Sequence, residues 1–152
     1  MKTSERFALR GKLDSLNAQI VFAQTLSDNE EFISDLEEVR GIIRTLQRCE
    51  ASGSPFEGEF VLWGKTAEEL HGLSHNPDGG HVLPHVDMGG EASSINLLRT
   101  MVREAELASC RVFPDDELRL SHTLNRLSSA LYVLMFKYLP EGYSHRLTFT
   151  KS

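Results

Sequence analysis

An all-α fold, an up-and-down bundle of four or five helices with one long loop between the second and third long helices, is predicted by three features of the chain. Apolar residues recur every three or four positions over four long stretches. Cap signals stand at the boundaries of those stretches. Most of the glycines and prolines gather in one segment, from residue 53 to residue 90. With 152 residues, the chain is long enough for one domain with a sizeable core, and residues 1–152 read as a single helical domain.

The first helix runs from about Ser4 to Leu26, with Leu9, Leu13, Leu16, Ile20 and Ala23 as its core stripe. Asp14 and Asn17 flank that stripe. Gly11 in mid-helix costs about 1 kcal/mol against alanine, which points to a close approach there or to a helix starting nearer Leu13. Residues 27–29, Ser-Asp-Asn, end this helix and cap the next. The second helix, about Glu30 to Ala51, buries Phe32, Leu36, Val39, Ile43, Leu46 and Cys49. Its acids crowd the front half and Arg40, Arg44 and Arg48 the back half, an order that complements the helix dipole and needs no chemistry.

The segment from 53 to 90 breaks the pattern. One short helix fits within it, Thr66 to Leu73, with Thr66 and Glu69 as a capping box. It carries the only tryptophan, Trp63, and four of the six histidines: His71, His75, His81 and His85. Connections this long inside a compact domain are usually functional or mobile. His81 and His85 with His75 could bind a metal, but the spacing matches no standard zinc pattern and no cysteine is near, so no metal residue is assigned and imidazole hydrogen bonds or a pocket-shaping role are preferred.

The third long helix runs from about Glu91 to Phe113, with Leu98, Val102, Ala105 and Ser109 on its buried stripe. Beside that stripe runs a polar row: Asn96, Arg99, Arg103, Glu106 and Cys110. Arg103 and Glu106 can pair along it, and Arg99 and Arg103 can share an anion. Taken alone, the row reads more readily as a solvated face, since most helical charge rows are. Pro114 and Asp115 stop the helix and Asp116 caps the fourth, which runs to about Leu139 on Leu120, Leu124, Leu127, Leu131 and Leu134. Asn125 and Ser128 border that stripe. Arg126 points about 100° around the helix from Asn125 and is expected outside any site they form. Pro140, Glu141 and Gly142 terminate the helix, and the tail beyond is either short strand or disorder.

Three helices thus carry polar groups beside their core stripes, and bundles do build ligand sites from inward polar groups on facing helices. Asp14 pairing with Arg103 across the bundle would fix a guanidinium for an anion. A structural network, or three independent polar borders, accounts for the pattern as well.

The net charge of −6 and the lack of a basic run speak against a nucleic-acid partner. No run of about 18 apolar residues spans a membrane, and the first residues lack the apolar core of a secretion signal. Cys49 and Cys110 are far apart and read as reduced thiols of a cytoplasmic protein.

The blocks GKLDSLN (11–17), VREAE (102–106) and LNRLSS (124–129) resemble, in that order, the blocks of ATP:cob(I)alamin adenosyltransferases of the propanediol-utilisation type, roughly G-T-x-D-E-L-N, R-x-A-E-R and L-N-R-L-S-D. The chain is more similar still to the ethanolamine-utilisation type, in which SH (74–75), HVLP (81–84), LLRT (97–100) and YVLM (132–135) also have counterparts. The resemblance covers about Phe7 to Tyr138. Departures are visible: only ten residues precede Gly11 and none fit the glycine-rich phosphate loop of the propanediol type. Leu107 stands where that type has a second arginine, and Ser129 where it has an aspartate.

The resemblance implies a helical bundle that transfers the 5′-deoxyadenosyl group from ATP to reduced corrinoid, with Mg2+ accompanying the ATP and a flavoprotein reducing the corrinoid. By position it implies that Arg103 contacts the triphosphate with Asp14 paired to it, that Asn125 binds nucleotide and that Glu106 orders the arginine row. Lys12, Asn17 and Arg99 follow as further nucleotide contacts by neighbourhood. The loop before the third long helix would close over the corrin, with Val82, Leu83, Val86 and Met88 as its apolar face; Val86 and Met88 are the residues assigned to the corrinoid. A homo-oligomer is implied, a trimer in preference to a dimer. The competing reading is a non-enzymatic helical module that binds a corrinoid or a protein partner after losing the nucleotide site.

Overall fold

A computed structural model of the chain describes residues 3–75 and 80–147. Five α-helices carry it: α1 (Thr3–Thr25), α2 (Glu30–Ser52), α3 (Ala67–His75), α4 (Gly89–Val112) and α5 (Leu120–Tyr138). The four long helices lie where the apolar period placed them, and each buries its expected stripe. Leu9, Leu13, Leu16, Ile20 and Ala23 of α1 are all buried, as are Leu120, Leu124, Leu127, Leu131 and Leu134 of α5. α1 packs on α2 and α4, α4 packs most extensively on α5, and α3 lies on the outer side of α5. All-α bundle architecture follows from these faces: each helix has one apolar stripe, and stripes bury only against one another.

The boundaries follow the cap chemistry. Asn29 accepts the amides of Glu31 and Phe32 and opens α2. Gly53, at φ +73°, ends it in the left-handed region that glycine enters without penalty. Thr66 and Glu69 exchange side-chain-to-amide hydrogen bonds of 3.2 Å and form the expected capping box of α3. The Asp116 carboxylate accepts the amides of Ser121 and His122 and so caps α5 from upstream.

Two buried carboxylates tie the frame together. Glu50, 1% exposed, receives Arg6 and Arg10 from α1. Asp35 receives Lys137 Nζ at 2.8 Å and Tyr138 Oη at 2.5 Å from the end of α5. Trp63 donates its indole N–H to the Asp35 carbonyl and pins the long connection to α2.

Small strands decorate that connection. β1 (Val61–Leu62) pairs with β2 (Lys65–Thr66), and β3 (His81–Val82) pairs antiparallel with β4 (Arg146–Leu147). The start of the tail is therefore strand, clamped to the loop before α4. Pro77, Gly79 and the tail beyond 147 lie outside the described residues. No helix among the described residues is long and apolar enough to cross a membrane.

Two expectations are corrected here. α1 is continuous from Thr3, and a Cβ added at Gly11 would meet nothing within 4 Å; neither a late start nor a close approach within the chain explains that glycine. Met88 is 2% exposed and packs into the core from a 3-10 turn, Val86–Met88. It anchors the loop beneath and offers no face to a ligand, whereas Val86 is 87% exposed.

Candidate active site

Two members of the polar row of α4, Arg103 and Glu106, face α5 and α3 across a cleft of about 320 Å³. α4 contributes Arg103, Glu106 and Leu107, α5 contributes Asn125, Ser128 and Ser129, and α3 contributes His71 and His75. Three residues singled out from the sequence, Arg103, Glu106 and Asn125, therefore meet at one place. Their convergence has a simple cause. Each lies one step round its helix from the buried stripe, and the two stripes are packed against each other.

Within the cleft Asn125 donates its amide to Glu106 at 3.3 Å. Arg103 is exposed and makes no hydrogen bond or ion pair within the described chain. It does not pair with Glu106. One turn away, Arg99 is half-buried, donates twice to Asn96 Oδ1 at 3.2 and 3.0 Å, and lies 5.7 Å from the centre of the Tyr132 ring. Burial, followed by the like charge of Arg103, pushes the Arg99 guanidinium below its ordinary pKa. No carboxylate among the described residues pairs with it. Two neighbouring guanidinium groups, neither in an ion pair, stand beside hydroxyl and amide donors, with Glu106 the one carboxylate lining the cleft among the described residues. Such a set suits an anion with several oxygens.

The short helix α3 adds what the sequence did not assign to the site. His71 Nδ1 lies 3.1 Å from an Arg126 nitrogen and 3.2 Å from Ser129 Oγ, and its Nε2 is 3.0 Å from His75 Nε2. Arginine has no acceptor, so Nδ1 must be the unprotonated nitrogen. Nε2 then carries the proton and donates it to His75. Partial burial, then the charge of Arg126, lowers the His71 pKa and agrees with that neutral form. Arg126, expected to stand clear, instead bonds His71 and Asn125 Oδ1 and braces the cleft from behind.

The residues assigned on α1 do not reach this cleft. Lys12 forms a 3.6 Å ion pair with Glu104 at the α1–α4 seam. Asn17 turns to α2 and hydrogen-bonds Gln47, leaving its Oδ1 buried without a partner. Asp14 is exposed and makes no contact with Arg103. The reason is azimuthal: Asp14 stands about 200° round α1 from Lys12, which faces α4. The expected pairing of Asp14 with Arg103 is not formed within the chain.

A larger cavity, about 620 Å³, opens between the Phe56–Val61 segment and the start of α5. There Glu57, Glu59 and Glu68 oppose Arg119 and Arg126. That lining is net acidic, whereas Arg103 and Glu106 balance in the α4–α5 cleft and Arg99 adds a positive charge beside it.

Residues 1–138 match the family described as cobalamin adenosyltransferase. The chain belongs to that family. It is 35% identical over 147 residues to the corrinoid adenosyltransferase EutT of Escherichia coli (strain K12), an alignment covering 88% of this chain and 53% of the relative. Against the corrinoid adenosyltransferase EutT of Salmonella typhimurium (strain LT2) the identity is 34%, with the same coverage. The chain thus spans about half the length of the curated relatives it matches. The match runs through α1 to α5 and includes every residue of the α4–α5 cleft.

Proposed function

We propose that the chain carries the site at which the 5′-deoxyadenosyl group moves from ATP to a reduced corrinoid. The observation that carries the reading is the convergence of Arg103, Glu106 and Asn125 on one cleft, with Arg99 beside it lacking a counter-charge. In this reaction the Co(I) centre attacks the ribose C5′ with its electron pair. A cobalt–carbon bond forms, the C5′–O bond breaks, and triphosphate leaves with that bond's electrons. Negative charge grows on the leaving group, so fixed cations and donors near it stabilise the transition state more than the ground state.

Arg103 takes the triphosphate, its exposed guanidinium needing no partner to be displaced. Arg99 supports the same charge from one turn away. Asn125, oriented by Glu106 and Arg126, holds the nucleoside or the ribose. Mg2+ travels with ATP, and Glu106 is the carboxylate that lines the cleft among the described residues. One carboxylate with the substrate's phosphate oxygens suits a magnesium ion. The exposed Val86 and Leu83 give the loop before α4 an apolar edge for the corrin, and a flavoprotein supplies the electron.

The assembly proposed is a homo-oligomer in the cytoplasm, a trimer before a dimer. Phe7, Gly11, Ala18 and Phe22 fall on one outward strip of α1, and Phe7 and Phe22 are 61% and 58% exposed. Gly11 leaves that strip open. Asp14, beside it and unpaired, is then available to an arginine of another copy.

Adenosylcorrinoid formation from ATP and chemically reduced corrinoid, followed by absorbance, tests the reading. Product that depends on Arg103 supports it. No product with corrinoid already reduced, while corrinoid binding persists, would replace it with a binding module.

A further inference from the structure

We propose that His85, Asp87 and His145 form a binding site for a divalent transition-metal ion such as zinc(II), which fastens the segment after α5 to the loop before α4. The site shares no residue with the α4–α5 cleft and does not rest on the reaction proposed above.

The geometry is already close to that of a metal centre. One donor atom from each of the three side chains lies within 4.8 Å of the other two. Asp87 Oδ2 is 2.9 Å from His145 Nε2 and 3.3 Å from His85 Nδ1. A tetrahedral ion bound at about 2.1 Å sets its donors about 3.4 Å apart. Two imidazoles and one carboxylate with open positions is a donor set that zinc and its neighbours accept. The side chains are exposed or half-exposed, and a cavity of about 150 Å³ lies over Asp87 and His145, leaving room for water as a further ligand.

The hydrogen bonds already present set two acceptors side by side. His85 Nδ1 accepts the Asp87 amide at 3.0 Å, so that nitrogen carries no proton. The same nitrogen then faces Asp87 Oδ2, a second acceptor, at 3.3 Å. Two lone pairs at that distance are stabilised by a cation between them. Binding through Nδ1 exchanges the amide contact of an exposed residue for water, a small cost. The rings of His85 and His145 stack with centroids 3.8 Å apart and planes 11° from parallel, so the two imidazoles are neighbours and one ring must turn for both lone pairs to meet an ion.

Both sides of the site are held by backbone. Leu83 N–H donates to the His145 carbonyl at 2.8 Å, and β3 pairs with β4 directly before it. An ion would close this two-segment clamp from the open end. The i,i+4 pair His71 and His75 does not qualify as the site. A ligating imidazole usually donates its other N–H to an acceptor, whereas the Nδ1 of His71 faces the donor Arg126.

The test uses chelator-treated protein titrated with Zn2+ by calorimetry and with Co2+ by visible absorption. One ion per chain is expected. His85→Gln, Asp87→Asn and His145→Gln should each weaken binding by about tenfold or more, while His71→Gln with His75→Gln should not. Circular dichroism checks that the variants keep their helices. Hydrogen exchange should slow on metal addition at residues 81–87 and 143–147. Binding that survives all three variants, follows the His71 and His75 pair, or is absent at about millimolar Zn2+ would overturn the site. Binding without slowed exchange in both segments would overturn the fastening role.

Discussion

Arg126 reaches from α5 to α3 and places a guanidinium nitrogen 3.1 Å from Nδ1 of His71. That contact decides which nitrogen of His71 holds its proton, and through Nε2 it decides the tautomer of His75. It also couples α3 to Asn125, because the same guanidinium nitrogen bonds Asn125 Oδ1 at 3.2 Å. Replacing Arg126 with methionine should therefore raise the His71 pKa toward its ordinary 6.5, read by NMR titration of the imidazole. An unchanged titration would show that burial alone depresses it. The stability consequence has a definite sign. His71 is harder to protonate folded than unfolded, so below about pH 6.5 the unfolded chain binds the proton first and stability falls. Arg126→Met should shrink that acid-side loss, measured as melting temperature between pH 7 and pH 5.

Arg126 marks where sequence pattern stops specifying the site. Helical period gives each residue's angle within its own helix, which suffices for the core stripes; the grouping of Arg103, Glu106 and Asn125 in one site comes from the resemblance, the period leaving independent polar borders equally open. The period cannot tell which neighbour a flanking residue meets. Arg126 is indeed 100° from Asn125, yet α3 folds back over that side of α5 and makes it part of the site. Asp14 failed for the converse reason: its flank of α1 turns away from α4. Met88 looked like part of an exposed apolar run, but a 3-10 turn directs it inward. Asp87 and His145 lie 58 residues apart, and the β3–β4 pairing with the Leu83–His145 backbone bond brings them together.

The strongest functional dependence should lie with Arg103. It is exposed and unpaired in the chain, so Arg103→Lys should leave the melting temperature near that of the parent. Lysine keeps the charge and loses the planar fork that meets two phosphate oxygens. Adenosylcorrinoid formation should fall by about tenfold or more, corresponding to about 1.5–3 kcal/mol for one charge-assisted contact. Full activity in the variant would remove Arg103 from the mechanism.

Glu50 should govern acid stability. Its carboxylate is buried, and the hydrogen bond from Arg10 above all, with help from Arg6, holds its pKa below the usual value of 4.5. The stabilisation is fully present above that value and is lost as pH falls through the lower folded pKa. Arg6 and Arg10 are 27% and 52% exposed, so they can return to water if Glu50 is removed. Glu50 cannot do so if they are removed. Arg6→Ala combined with Arg10→Ala should therefore cost more than Glu50→Gln, approaching the roughly 3–5 kcal/mol of an uncompensated buried charge. Chemical denaturation of both variants at neutral pH decides the order.

Arg99 offers the sharpest separation of binding from folding. Its guanidinium is half-buried, bonded to a neutral amide, and crowded by Arg103. A group placed there for stability would have a carboxylate, since burying a charge without one is unfavourable. Arg99→Met keeps the aliphatic volume over Tyr132 and removes the charge. The melting temperature should stay level or rise, because an uncompensated charge has been exchanged for packing. ATP affinity should fall by about tenfold, the loss of one contact to an anion worth about 1.4 kcal/mol. Calorimetric ATP titration beside thermal denaturation measures both quantities on one preparation. If the variant melts lower and binds ATP as before, Arg99 belongs to the frame, and the positive charge of the cleft rests on Arg103 alone.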